Sequence, residues 1–140
     1  MHAPKLKTWT TTAPTSTVFE ALLGVVQTGK YTIFALSNEQ QRLLFTSGKT
    51  ALSWGQEYVA EVREVDGRTQ LEVVSGGHDG APKALMDGWK NGKAADKVVA
   101  AVTAAVEGST PAPATPTASF ATTPSGATVP WSGDDLPTEG

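Results

Sequence analysis

The sequence predicts an α+β fold, a two-layer sandwich in which one antiparallel sheet is covered by two helices in the order β-α-β-β-β-β-α. Three observations carry this. Apolar residues alternate with periods near 2 and near 3.6 in that order along residues 1–108. Short turns join the middle strands, which makes neighbouring strands antiparallel. Two amphipathic helices are available to cover the sheet face that must be buried. Residues 1–108 are therefore expected to form a folded domain. Residues 109–140 are mostly Pro, Thr, Ala, Ser and Gly and are expected to be a disordered acidic tail.

Leu6 to Thr12 is Thr-rich with one Trp, and reads as the first strand, closed by Pro14. Thr17 and Glu20 have the spacing of a capping box. Val18, Phe19, Leu22, Leu23, Val25 and Val26 then make one apolar helical face. Gly29 is expected to end that helix in a left-handed conformation. Gly24 lies inside it, at a cost of about 1 kcal/mol relative to Ala, which a close approach to the sheet would explain.

Tyr31 to Leu36 is apolar on both faces, and Ser37-Asn38-Glu39 reads as a turn. In Arg42 to Ser47, Leu43 and Phe45 share a face. From Glu57 to Val65, Tyr58, Ala60 and Val62 point one way and Glu57, Glu61 and Arg63 the other. Asp66-Gly67 is a two-residue hairpin signal. Thr69, Leu71 and Val73 continue the inward face, with Gln70 and Glu72 outward. After the Gly-rich passage Ser75 to Gly80, Pro82 suits a first helical turn, and Val98, Val99, Val102 and Val106 a buried helical face. Gly88 and Gly92 leave open whether residues 82–107 make one helix or two. This order matches the helix-grip and TATA-binding-protein-like small folds, an analogy that carries no function.

Charge divides at the same place as composition. All 11 basic residues and 11 of the 14 acidic ones precede residue 109, so the tail carries the whole net charge of −3. There is no cysteine, which excludes thiol chemistry, disulfides and Cys-ligated zinc. The first 16 residues lack the apolar run of a secretory signal, and no stretch approaches the ~20 apolar residues of a membrane span. A cytoplasmic protein is expected.

Several short motifs bear on chemistry. Ser47-Gly48-Lys49-Thr50 resembles the end of a phosphate-binding loop, but position 43 is Leu where a Gly is required, and the loop joins two strands. His78-Asp79 pairs a base with a carboxylate, yet no placed nucleophile accompanies it. Lys83, Lys90, Lys93 and Lys97 form a basic cluster able to hold phosphates or an anionic surface, weakened by the interleaved Asp79, Asp87 and Asp96; a solvated helix face also explains it. The outward sheet face sets Glu57, Glu61 and Glu72 against Arg42, Arg63 and Arg68. A sheet that grips nucleic acid should be basic with exposed aromatics, so no nucleic-acid partner is expected.

Trp54-Gly55 and Gly88-Trp89 are the most distinctive pair. Each Trp sits beside a Gly that permits close backbone approach. They either lock helix to sheet or frame an aromatic groove, with Lys90 and Asn91 following. In the tail, Trp131 precedes Asp134-Asp135-Leu136, the pattern of a short docking motif or of a solubilising tail.

The stretches Ser53-Trp54-Gly55-Gln56-Glu57, Gly67-Arg68-Thr69-Gln70-Leu71-Glu72-Val73 and Leu85-Met86-Asp87-Gly88-Trp89-Lys90-Asn91 together resemble an uncharacterised family of small bacterial domains, common in actinobacteria. The resemblance covers most of residues 6–107. The family pattern reads Asp-Trp-Gly where this chain has Asp-Gly-Trp. It implies no established activity.

A non-enzymatic binding or interaction module without a cofactor is the expected function, as a monomer or weak dimer. Its expected site is Trp54, Gly55, Trp89, Lys90 and Asn91, with Trp131 as a second point for a protein or small-ligand partner. The alternative is a carrier of a small apolar or lipid ligand between sheet and helices. Against it, Leu43, Phe45, Tyr58, Val62, Leu71 and Val73 are large enough to fill the core.

Overall fold

The computed structural model describes residues 2–47, 56–77, 87–108, 117–123 and 126–133, with side chains from Pro4 onward and, in the last helix, from Asn91. The elements are β1 (His2–Thr11), α1 (Thr15–Thr28), β2 (Tyr31–Ser37), β3 (Arg42–Ser47), β4 (Gln56–Val65), β5 (Arg68–Gly77), α2 (Asp87–Val106), β6 (Phe120–Thr122) and β7 (Thr128–Val129). The strands form one antiparallel sheet in the order β1-β5-β4-β3-β2-β6-β7. This is the α+β arrangement expected, extended by two short strands. Asp87 to Val106 is one continuous helix.

Both helices lie on one sheet face. Val18, Leu22 and Val26 of α1 and Ala95, Val98 and Val102 of α2 pack on Leu43, Phe45, Tyr58, Ala60, Val62, Leu71 and Val73. These sheet residues are the inward set that period-2 alternation selects. At Asp66 and Gly67, φ is 53° and 76°, the paired left-handed residues that close the β4–β5 hairpin. Four of the outward charges pair off. Arg42 Nη2 lies 2.7 Å from Glu61 Oε2, and Arg63 pairs with Glu72.

Two local expectations for α1 are corrected. The helix starts at Thr15 with Pro14 as its N-cap and no side-chain cap, so Thr17 falls within the first turn and forms no capping box. Pro14 has a fixed φ near that required at a helix start, and its carbonyl accepts from Val18 N–H at 3.1 Å. Gly29 is extended (φ −85°, ψ −177°) rather than left-handed. Its requirement is steric, since an added Cβ would lie 2.7 Å from the Tyr31 ring.

The boundary at Gly108 is also corrected. β6 pairs with the β2 edge through Ala35↔Ala121 and Leu36↔Phe120, and β7 pairs with β6. Trp131 is only 6% exposed and packs with Ala35 and Ala121, flanked by Leu44 and Val129. Asn38 holds the start of this strap, its N–H donating to Ser119 Oγ and its Nδ2 to Thr117 O, both at 2.8 Å. Ser37 Oγ donates to Ser132 O at 2.9 Å, and Arg42 Nη1 to Gly133 O at 2.6 Å. The composition reading failed here because so few apolar residues cannot order a free segment, yet can dock on a sheet already formed.

Trp131→Ala is expected to lower folding stability by about 2 kcal/mol, below the ~3–5 kcal/mol of a central aromatic, because its neighbours are small edge residues. A chain ending at Gly108 loses the β6 pairing as well and should lose more. Urea unfolding of the three chains measures this; losses under about 0.5 kcal/mol in both variants would show that the strap contributes nothing to stability.

Candidate functional site

Among the described residues, two solvent-open clefts flank the core. One, of about 630 Å³, lies between α1 and the start of the strap, lined by Phe19, Glu20, Leu23, Asn38 and Thr117 among others. Its Asn38 and Thr117 groups already serve in strap hydrogen bonds. The second, of about 670 Å³, opens at the other end of β2 and β3. It gathers Gly29 from the end of α1, Lys30, Tyr31 from β2, Ser47 from β3, Gln56 and Tyr58 from β4, and Lys93, Ala94 and Lys97 from α2. Residues from four elements and the α1–β2 connection thus converge on one opening.

Its floor is aromatic and polar. The Phe45 and Tyr58 rings stack with centroids 4.7 Å apart, and Tyr31 meets both edge-on at 5.3 and 5.5 Å. Such offset and edge contacts hold rings firmly in place. Gln56 N–H donates to Ser47 Oγ, and Ser75 Oγ donates to Gln56 Oε1, each at 2.8 Å. The Ser47 and Ser75 hydroxyls are hydrogen-bonding neighbours of Tyr58. Burial raises the Tyr58 hydroxyl above its ordinary pKa, with Tyr31 adding to the rise and the two serines opposing it; burial also raises Tyr31. Both therefore remain neutral hydrogen-bonding groups at pH 7.

The rim is cationic. Lys93 and Lys97 stand one helical turn apart on α2, with Lys30 contributed by the α1–β2 connection. The nine described lining residues include three lysines and no carboxylate.

Of the residues expected from sequence to form a site, the structure describes the side chains of Asn91 and Trp131. Trp54 and Gly55 lie outside the described residues, as do Lys83 and the His78-Asp79 pair. Trp89 and Lys90 fall in the first turn of α2, with their side chains outside the description. Asn91 is buried on the helix side of the sheet, and Trp131, expected as a second point, is buried on the opposite face. The cleft itself was missed. Its one local signal was the i, i+4 spacing of Lys93 and Lys97, and Lys30, Tyr31 and Tyr58 join them only through topology. The 48–55 connection, which carries Trp54, leaves from Ser47 and returns at Gln56, both cleft residues.

No family model matches the chain, and no curated protein matches it. Among solved structures, its fold is similar to the crystal structure of Ara h 8.0201, with a TM-score of 0.55 and 12% identity over 74% of this chain and 97% of that one. That neighbour is a Bet v 1-like protein, and the shared fold is a helix-grip.

The chain's two tyrosines make the cleft chemistry directly measurable. With their pKa values raised, the folded state keeps both protons as pH rises past the ordinary 10.0, while the unfolded chain loses them. The stability they contribute is therefore full below pH 10 and lost as pH climbs through the folded values. Tyrosinate absorbance should rise later in native protein than in urea; coincident curves would refute the buried placement.

Proposed function

We propose that this protein is a small-ligand binding module whose site is the cleft between α2 and the β2–β3–β4 end of the sheet. The observation that carries the reading is the convergence of four elements and the α1–β2 connection on an opening of about 670 Å³ with a fixed aromatic floor. That volume lies within the range of small-molecule sites, which combine apolar walls with a few placed polar groups. Tyr31, Tyr58 and Ala94 supply apolar surface, and Ser47, Gln56 and the tyrosine hydroxyls the polar groups. The rival reading, a protein-docking tail, loses the residue that motivated it, because Trp131 is occupied by packing within the chain.

N-Phenyl-1-naphthylamine, a neutral two-ring probe, tests the site by fluorescence titration and amide shift mapping. Binding should move the amides of Tyr31, Tyr58 and Ala94, and Ala94→Trp should weaken it at least about tenfold by filling the cleft. No binding, or shifts confined to other surfaces, would refute the reading.

A further inference from the structure

We propose that the free edge of β1 is a docking edge for a second copy of this chain, the two β1 strands pairing antiparallel about a twofold axis at Thr8. This goes beyond the ligand-binding reading and is independent of it. β1 ends the sheet, and among the described residues it pairs only with β5. The opposite end of the sheet is the two-residue β7, too short to act as a template, whereas β1 runs for ten residues. The ladders show which of its backbone groups are open. In antiparallel strands alternate residues aim N–H and C=O to opposite sides. Val62 N–H donates to Gln41 O on the β3 side, so Val59, Glu61 and Arg63 bond toward β5. Their β5 partners are Val74, Glu72 and Gln70, which leaves Leu71, Val73 and Ser75 to bond Trp9, Lys7 and Lys5 of β1. Leu6, Thr8 and Thr10 therefore aim their N–H and C=O groups away from the sheet. No described residue hydrogen-bonds to those groups, and all three residues are exposed.

This edge is complementary to itself in one register. A twofold at Thr8 sets Thr8 against its own copy and Leu6 against the partner's Thr10, so that all three residues donate and accept. Lys7 then faces the partner's Trp9 at a non-hydrogen-bonded position, where side chains lie closest, and an ammonium beside an indole is favourable. Lys5 faces the partner's Thr11. Moving the axis by one residue loses this. At Lys7 it opposes the two Lys7 side chains directly and sets Thr10 against Pro4, which has no N–H. At Trp9 it sets Leu6 against Thr12, beyond the end of β1. Lysine and proline on an edge commonly guard it against pairing. Here Lys5 and Lys7 lie on the helix side, beside Gly92 and Asp96 of α2, and Lys7 Nζ is 3.7 Å from Asp96 Oδ1. They exclude the registers that oppose lysine to lysine and permit the one at Thr8.

Sedimentation equilibrium of the full chain should show a mass rising from 14.6 kDa toward twice that value as concentration goes from micromolar to millimolar. Amide exchange at Leu6, Thr8 and Thr10 should slow at least about fivefold over the same range, while Lys5, Lys7 and Trp9, already bonded to β5, stay unchanged. Thr8→Lys and Thr8→Glu change an exposed side chain and should each weaken association by about tenfold or more, because identical charges meet at the axis. An equimolar mixture of the two should restore it as a heterodimer. A mass that stays at 14.6 kDa, or a dimer whose Leu6, Thr8 and Thr10 amides exchange as in the monomer, would overturn the proposal. So would variants that associate as well as the parent chain, or a mixture that does not recover. The exchange measurement uses the unsubstituted chain, so the outcome does not depend on either variant folding.

Discussion

The structure turns on one extra residue in β2. Pairing runs Ile33↔Phe45 and then Ala35↔Leu44, so Phe34 has no partner on β3. A bulge of this kind reverses the facing of every residue after it. Before it, Tyr31 and Ile33 face the helices. After it, Leu36 faces the helices opposite Leu43, and Ala35 and Ser37 face away. Strict alternation from Tyr31 would send Ala35 and Ser37 into the core and Leu36 into water. Phe34 itself remains 37% exposed, an aromatic left at the surface by the irregularity.

Both distinctive regions depend on that reversal. The cleft needs Tyr31 on the helix side, where it meets Phe45 and Tyr58. The strap needs Ala35 and Ser37 on the opposite side, one as the seat of Trp131 and the other as donor to Ser132. The turn that follows supplies Asn38, which ties Thr117 and Ser119, and β3 then begins with Arg42, which ties Gly133. β6 shares its residues between the faces in the same way, with Phe120 against the main core and Ala121 under Trp131. An edge strand that would otherwise present bare backbone groups is thereby covered by the chain itself.

What was legible in the sequence follows from these facts. The facing of β3, β4 and β5 was readable because Leu43 to Phe45, Tyr58 to Val62 and Thr69 to Val73 alternate without interruption, and Asp66-Gly67 fixes the register of the longest hairpin. β2 read as apolar on both faces, which is how a bulged strand looks when its period is broken. The strap was not readable, since strands of three and two residues show no period, and β6 pairs with residues 84 and 86 positions earlier, Phe120 with Leu36 and Ala121 with Ala35. The cleft was half readable. Lys93 and Lys97 announce a basic helix face, but whether that face looks onto solvent or onto two tyrosines depends on which strands lie beneath α2.

The outer sheet face shows why Trp131 sits where it does. Leu6, Val74, Val59, Leu44, Ala35, Ala121 and Val129 are directly opposed from strand to strand, one apolar row crossing all seven strands. Trp131 covers the end where the row is made of small residues, which leaves room for an indole. The other end stays open, with Leu6 55% exposed. It is a single row wide, and Glu57, Glu61 and Glu72 border it on β4 and β5. Arg42 and Arg63 pair with Glu61 and Glu72 along that border, so a second copy laid on the row would meet charged side chains that it must strip of water. The open half of the row is thus bordered by ion pairs, and the covered half is completed from within the chain.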